Sequence, residues 1–411
     1  MLKKTNLLFM NDVWININAL EFNSIGVNSN TEWTHLKISD NSNIFGEGEI
    51  THTQLSRNVS PIVAKLANNL RGKKVFSDYD VITENNLSIE TIESDQLLAT
   101  AVSGLRCAIT DALSKQSKLK MYEYILYKFG EKNISSNKVQ LYANINRSLL
   151  LDKKTKKNFN PVLQEMLDRS PESFSKMAKF VNDQGFKTLK CAPFDECKSP
   201  FNAPGLPKEA LIGLSRISSV IESIGDSTLL VDCHSRFDNE SAFDLLSELT
   251  DRGVGWYEEP IDPIEYSSDL RKIKEKSTIP IAGAEHGYGL SLFEKLIAND
   301  ILDVVMPDIK FCGGPIEAFL IGKTLESKKE KSVSMHCPSG PLSLLASAHS
   351  TLAFNNTLPL EHAVYEIDWR KEVLFPNENI IGDMLVIPDG YGLGAQIDPL
   401  IVHKHGEFWT E

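Results

Sequence analysis

Three acidic residues close three successive apolar runs. They are Asp232 in Leu229-Leu230-Val231-Asp232, Glu258 in Gly255-Trp256-Tyr257-Glu258, and Glu285 in Pro280-Ile281-Ala282-Gly283-Ala284-Glu285. The runs recur roughly every 25 residues, the length of one strand, one helix and two loops. Closed into a parallel barrel, such strands would bring the three carboxylates together at the C-terminal mouth. Converging carboxylates repel one another unless a cation neutralises them, and an all-oxygen ligand set selects a hard divalent ion such as Mg²⁺. Glu259, beside Glu258, points to the other side of a strand and is expected to be a structural salt-bridge partner.

Further strand ends carry groups suited to proton transfer. Val304-Val305-Met306-Pro307-Asp308 ends one, Val333-Ser334-Met335-His336 the next, and Leu358-Pro359-Leu360-Glu361 the last. An Asp and a His on adjacent strands can hydrogen-bond. The Asp fixes the imidazole tautomer and raises its basicity, which makes a general base. Glu361 could hydrogen-bond a substrate or donate a proton. His234 lies two residues beyond Asp232, on the same side of an extended strand. Asn144 and Asn146 share a face of an earlier strand and are candidate substrate contacts. His286, next to Glu285, is a candidate substrate contact at the mouth.

The elements that must position these residues are legible as an alternation. Strand candidates are 139–145, 188–192, 228–232, 255–258, 279–284, 304–306, 333–336 and 358–360, with amphipathic stretches such as 171–184, 209–224 and 242–251 between the earlier ones. Eight parallel strands with intervening helices close a barrel. An open doubly wound sheet is the rival, but Gly390-Tyr391-Gly392-Leu393-Gly394 lacks the dinucleotide-binding spacing and opens no helix, so it reads as a turn. Ahead of the alternation, residues 17–22 and 33–38 read as strands separated by a polar loop over 23–31. A helix fits 94–114, with Ser94 as its cap. The expected organisation is an α+β capping domain over 1–130, a barrel over 131–375, and a segment over 376–411 that packs back on the capping domain.

Composition narrows the class. The chain has 411 residues, 42% of them hydrophobic and 24% charged, which supports a large core and argues against disorder. A net charge of −12 disfavours a nucleic-acid surface. The six cysteines form no CxxC pair and read as small buried hydrophobes of a reducing compartment. Met1-Leu2-Lys3-Lys4 has the charge of a leader, but the apolar run after it is short and no cleavage pattern follows. No run is expected to span a membrane, so a cytoplasmic enzyme is the expectation.

In order and spacing these motifs resemble the enolase superfamily, in its mandelate racemase and muconate-lactonizing branch. The resemblance rests on the Gly46-Glu47-Gly48-Glu49 turn, the alanine-rich helix over 99–113, the Tyr142-Ala143-Asn144 strand, and Pro307-Asp308 followed by Gly313-Gly314. It implies a capping domain on a modified (β/α)₇β barrel, and abstraction of the proton α to a carboxylate with Mg²⁺ stabilising the enediolate. It also implies Asp232, Glu258 and Glu285 as metal ligands, Asp308 and His336 as the catalytic dyad, Glu361 as the acid of the last strand, and a homo-oligomer. Where racemases of this branch carry Lys-x-Lys, this chain has Lys190-Cys191-Ala192. Only one lysine remains, expected to hold the substrate carboxylate in preference to merely balancing the acidic cluster. One of two opposed bases is missing, so simple racemisation is disfavoured, while one base and a proton donor suffice to eliminate water.

Asp232-Cys233-His234, with His336-Cys337-Pro338 followed by Gly340-Pro341, is most similar to the galactonate dehydratase type of acid-sugar dehydratase, in which the corresponding His assists departure of the hydroxyl. The expectation is a Mg²⁺-dependent dehydratase of an aldonate or aldarate, with specificity in the 23–31 loop and in the loop after Ala192. Its rivals are a cycloisomerase or epimerase on the same scaffold, and a sugar-acid-binding protein without catalysis. Turnover in a substrate screen separates the enzymes from the last.

Overall fold

The computed structural model describes residues 13–28, 31–52, 56–132, 134, 136–149, 168–201, 205–328 and 330–411. The chain opens with an antiparallel meander: β1 (Ala19–Gly26), β2 (Glu32–Ser39) and β3 (Phe45–Glu49). The helix Gln96–Gln116 lies across it. The glycines of Gly46-Glu47-Gly48 explain how closely. A Cβ at Gly46 would sit 1.9 Å from the Ala108 carbonyl oxygen, and one at Gly48 2.2 Å from that of Gly104. Backbone meets backbone there, and no larger residue fits.

Three expectations for this half need correction. β1 runs on to Gly26, so Asn23 and Ser24, placed in a polar loop, are buried strand residues. They pair with β2 on one side and with the far end of the chain on the other: Gly406–Trp409 adds antiparallel to β1, with Asn23 opposite Phe408. Residues 29 and 30 of that loop lie outside the described residues. The long helix is capped by Asp95, whose carboxylate accepts from the Leu97 and Leu98 amides, and not by Ser94. At 21 residues this helix is also long and apolar enough to cross a membrane, contrary to expectation, but here it is a core helix.

Eight parallel strands form, several with shorter ladders than the apolar runs suggest, and the last displaced from 358–360 so that Glu361 lies within it and not at its end. They are β4 (Lys138–Asn144), β5 (Thr188–Cys191), β6 (Thr228–Asp232), β7 (Tyr257–Glu258), β8 (Ile281–Gly283), β9 (Val304–Val305), β10 (Ser332–Val333) and β11 (Leu360–Ala363). β4 to β10 pair in sequence order, and β11 pairs with β4. Residues around β11 also bond to the β10 segment, through Leu358 N to Val333 O and Glu361 N to Met335 O. Both ends of the sheet therefore meet the same segment, and the strands make a ring. Among the described residues a helix lies in each connection, from Pro171–Asp183 to Pro341–Ala353, and no α-helix follows β11 before the tail. Tyr142, Leu230, Trp256, Ala282, Val304 and Met306 form a separate buried cluster of strand residues.

The tail has two destinations. The hairpin of Ile380–Ile381 and Met384–Val386 extends β4 antiparallel, while the residues after it return to the first half: the Leu393 amide donates to Asp111, the Ile397 amide to Glu47, and Gly406–Trp409 pairs with β1. The two halves are also tied at the mouth. Glu49 of β3 accepts hydrogen bonds from the Gly340 and Ser343 amides at 2.9 and 3.0 Å. Those amides open the helix Pro341–Ala353, whose N-terminus favours a carboxylate.

Candidate active site

Asp232, Glu258 and Glu285 do converge. One oxygen from each lies within 4.8 Å of the others. Asp232 ends β6 and Glu258 ends β7, side by side in register, while Glu285 follows β8. Burial, and then the charge of Asp232, push the Glu258 carboxyl well above its usual range. Three buried carboxylates here cannot all ionise without added positive charge. An all-oxygen set with that deficit fits a hard divalent cation.

Lys190 supplies part of the charge from below. Its Nζ lies 2.8 Å from Glu258, 2.9 Å from Glu361 and 3.6 Å from Asp232. Burial opposes its charge, but the carboxylates outweigh that and hold its pKa well above the usual lysine value. Lys190 is buried and does not line the cavity, and two carboxylates already lie within hydrogen-bond distance of its Nζ. This corrects the expectation that it holds the substrate carboxylate: the geometry is that of charge compensation.

Glu361 is similarly committed. Oε1 accepts from Asn144 Nδ2 at 2.7 Å and from Lys190, and Oε2 accepts from the Cys337 amide at 3.0 Å. Burial would raise its pKa, but Lys190 and His336 hold it below the usual value. A fully buried carboxylate with these donors is a poor proton donor, and Glu361 does not line the cavity.

Asp308 and His336 meet as expected. His336 Nδ1 lies 2.8 Å from Asp308 Oδ2, and His336 Nε2 lies 3.0 Å from Glu285. Burial opposes protonation of His336, yet Glu285, Glu361 and Asp308 together hold its pKa well above the usual histidine value. Lys310, which strand-end reading missed, donates to the same Asp308 oxygen at 2.6 Å. Its position in Asp308-Ile309-Lys310, two residues on, was the available signal.

His234 reaches the triad by a route the sequence did not indicate. The strand has ended: His234 and Ser235 have φ of +48° and +53°, the left-handed region. The Asp232 side chain accepts from the His234 amide at 2.9 Å, and His234 Nε2 lies 3.0 Å from the other Asp232 oxygen. His234 Nδ1 lies 2.7 Å from Asp195, in the turn after β5. No periodic pattern marks Asp195. Glu259 is the other surprise. It has no cation partner among the described residues; its Oε1 accepts from the Ala284 and Glu285 amides at 2.8 and 3.3 Å. Burial, then Glu285 and Asp232, push its carboxyl up to about 8. Glu259 therefore positions the backbone that carries Glu285, and is not a salt-bridge partner.

A cavity of about 500 Å³ opens above these groups. Asp232, His234, Glu285 and His336 line it from the barrel, and Trp33 and His52 from the meander side. His286 also lines it, exposed and stacked on Phe311. Asn144 and Asn146 reach it, but both amides have internal partners: Asn144 bonds Glu361 and the Asn146 amide, and Asn146 bonds Arg169 and Asp195. All six cysteines are free and buried.

Comparison with known proteins agrees with this architecture. The family described as enolase C-terminal domain-like matches residues 173–401. D-xylonate dehydratase of Haloferax volcanii is 25% identical over 387 residues, which cover 92% of this chain and 86% of that protein. D-galactonate dehydratase of Pectobacterium atrosepticum is 22% identical over 381 residues, 90% of each. A crystal structure of an enolase superfamily member from Salmonella Typhimurium superposes with a TM-score of 0.80 at 19% identity, covering 96% of this chain and 99% of that one.

Proposed function

The chain belongs to the enolase superfamily, and on that premise we propose that it is a Mg²⁺-dependent dehydratase of an acid sugar, an aldonate or aldarate. It would remove the proton α to the carboxylate and expel the 3-hydroxyl, giving a 2-keto-3-deoxy acid. One observation carries this reading: two histidines, each paired with an aspartate, stand at opposite sides of the strand ring with the acidic triad between them. Asp195 and His234 follow β5 and β6, and Asp308 and His336 follow β9 and β10. Strands four apart in a ring of eight face each other across the mouth. The dehydratase relatives support the same class of reaction.

The chain's own residues then divide the work. His336, with Asp308 holding Nδ1, would offer Nε2 to the C2 proton once positive charge at the triad offsets Glu285, the carboxylate that otherwise keeps the imidazole protonated. His234 offers a proton from Nε2 on the far side to the C3 hydroxyl, which leaves as water when the C3–O bond breaks. The C2–H electron pair becomes the new double bond, and the enol tautomerises to the 2-keto product. Bound at Asp232, Glu258 and Glu285, the divalent cation would supply positive charge where the substrate carboxylate becomes more negative. Lys190 offsets part of the charge of that acidic floor and holds it in place. Ala192 leaves no second lysine at the β5 end, which disfavours epimerisation.

Screening aldonates and aldarates with Mg²⁺ for 2-keto acid formation tests the reading. Dehydration of one or a few of them is the expected result. Accumulation of a C2 epimer carrying deuterium, with no keto acid, would promote the epimerase alternative. Binding without turnover would promote a sugar-acid-binding protein.

A further inference from the structure

Two carboxylates at the cavity, Glu32 and Asp195, are used by neither the triad nor the first His–Asp pair, and Asp195 is the one that grips a histidine. We propose that it is the positioning residue for His234. Its carboxylate takes the Nδ1 hydrogen and so fixes both the ring plane and the nitrogen, Nε2, that faces the reacting group. This deepens the function proposed above and rests on it for what His234 does.

His234 needs such a partner more than His336 does. Its side chain is 35% exposed, against 8% for His336, so packing alone does not hold the ring. An imidazole with one free nitrogen can flip about χ2 and exchange a nitrogen for a carbon at the reacting position. Asp195 removes that freedom with a bond of 2.7 Å.

Asp195 is itself braced. Asn146 Nδ2 lies 3.3 Å from its second oxygen, and Arg169 lies 3.5 Å away. Arg169 also donates to Asn146 Oδ1, to the Ala192 carbonyl and to Glu196. Glu196 takes both terminal nitrogens of Arg216, which belongs to the helix Lys208–Ile224. Alternating charges thus link a barrel helix to the imidazole, and charge-assisted bonds of this kind are short and directional. The expected consequence is selective. Loss of Asp195 should disturb the step that needs His234 and spare the one that needs His336.

Two variants test this, Asp195→Asn, which keeps the side-chain volume, and Asp195→Ala. Both should lower kcat for dehydration by roughly 10²-fold. KM and the exchange of the substrate C2 hydrogen in deuterium oxide should stay within a few-fold of wild type. A wild-type dehydration rate in Asp195→Ala, or equal loss of dehydration and exchange in both variants, overturns the proposal. A spectroscopic readout stands apart from the functional reading. Proton spectra should show a His234 Nδ1–H resonance shifted downfield by its bond to Asp195 in the wild type, and Asp195→Ala should lose that shift. An unchanged pattern overturns the positioning role even if no acid sugar is turned over, whereas wild-type inactivity on every acid sugar would refute the dehydratase reading alone.

Discussion

The two His–Asp pairs at the mouth are built alike and housed differently. In each, an aspartate grips Nδ1, Nε2 faces a carboxylate of the triad, and a cation stands behind the aspartate. The Asp308–His336 pair is nearly closed to solvent, and Lys310 bonds directly to its aspartate at 2.6 Å. The Asp195–His234 pair is more open, its aspartate comes from a turn, and Arg169 stands off at 3.5 Å. The buried pair has the rigidity a base needs to meet a weakly acidic C–H bond. The open pair sits where a hydroxyl can leave as water. The same chemical parts are thus placed in different surroundings because the backbone buries one set and exposes the other, which suits them to the two steps proposed above.

Removing what lies between the pairs should abolish both functions. Glu258→Gln is expected to lose metal affinity in a calorimetric titration while its circular dichroism is unchanged, and EDTA should stop turnover until Mg²⁺ or Mn²⁺ is restored. Full activity in the chelated protein would break the comparison at its root. The next largest effect should divide the pairs. His336→Asn should lose both dehydration and C2 exchange by roughly 10²–10⁴-fold, whereas His234→Asn should lose dehydration and retain exchange. Exchange surviving in His336→Asn would mean that the base is elsewhere.

The cations behind the aspartates should give smaller, still separable effects. Lys310→Met is expected to reduce exchange and dehydration together by about 10–100-fold, and Arg169→Gln to reduce dehydration alone by a similar or smaller factor. Equal patterns from the two variants would show that the pairs are not independent. The smallest effect is on stability. His349 is buried between the Tyr122 amide and the Leu393 carbonyl, and burial lowers its pKa from 6.5 to about 4. Between those values the unfolded chain binds a proton that the folded one does not, so stability is lost as pH falls from about 6.5 towards 4, by up to about 3 kcal/mol. Melting temperature measured from pH 7 to pH 4.5 should fall in the wild type and fall less in His349→Gln. Comparisons of the two pairs by pH–rate profile belong above that range.

The strand-end carboxylates, the Asp308–His336 pair and the eight-strand alternation were legible in the sequence. Each is local: a side chain at the end of an apolar run is delivered to the mouth by the strand that precedes it. Lys190 was found but its use was misjudged, because whether a mouth lysine faces substrate or carboxylates depends on neighbours from β7 and β11. Extension of β1 through Asn23 was hidden because its polar side chain is buried against His35 of β2 and a second partner strand comes from the other end of the chain.

The sequence by itself therefore determined the ring, the acidic triad and one His–Asp pair, since period and strand-end position are properties of short segments. Only the tertiary structure decided that Asp195 would pair with His234, that Glu259 would hold two amides, and that Glu49 would tie the meander to the barrel. Those contacts join turns and strands far apart in the chain. A turn residue's direction is set by backbone angles such as the positive φ of His234 and Glu259, which no hydrophobic period encodes.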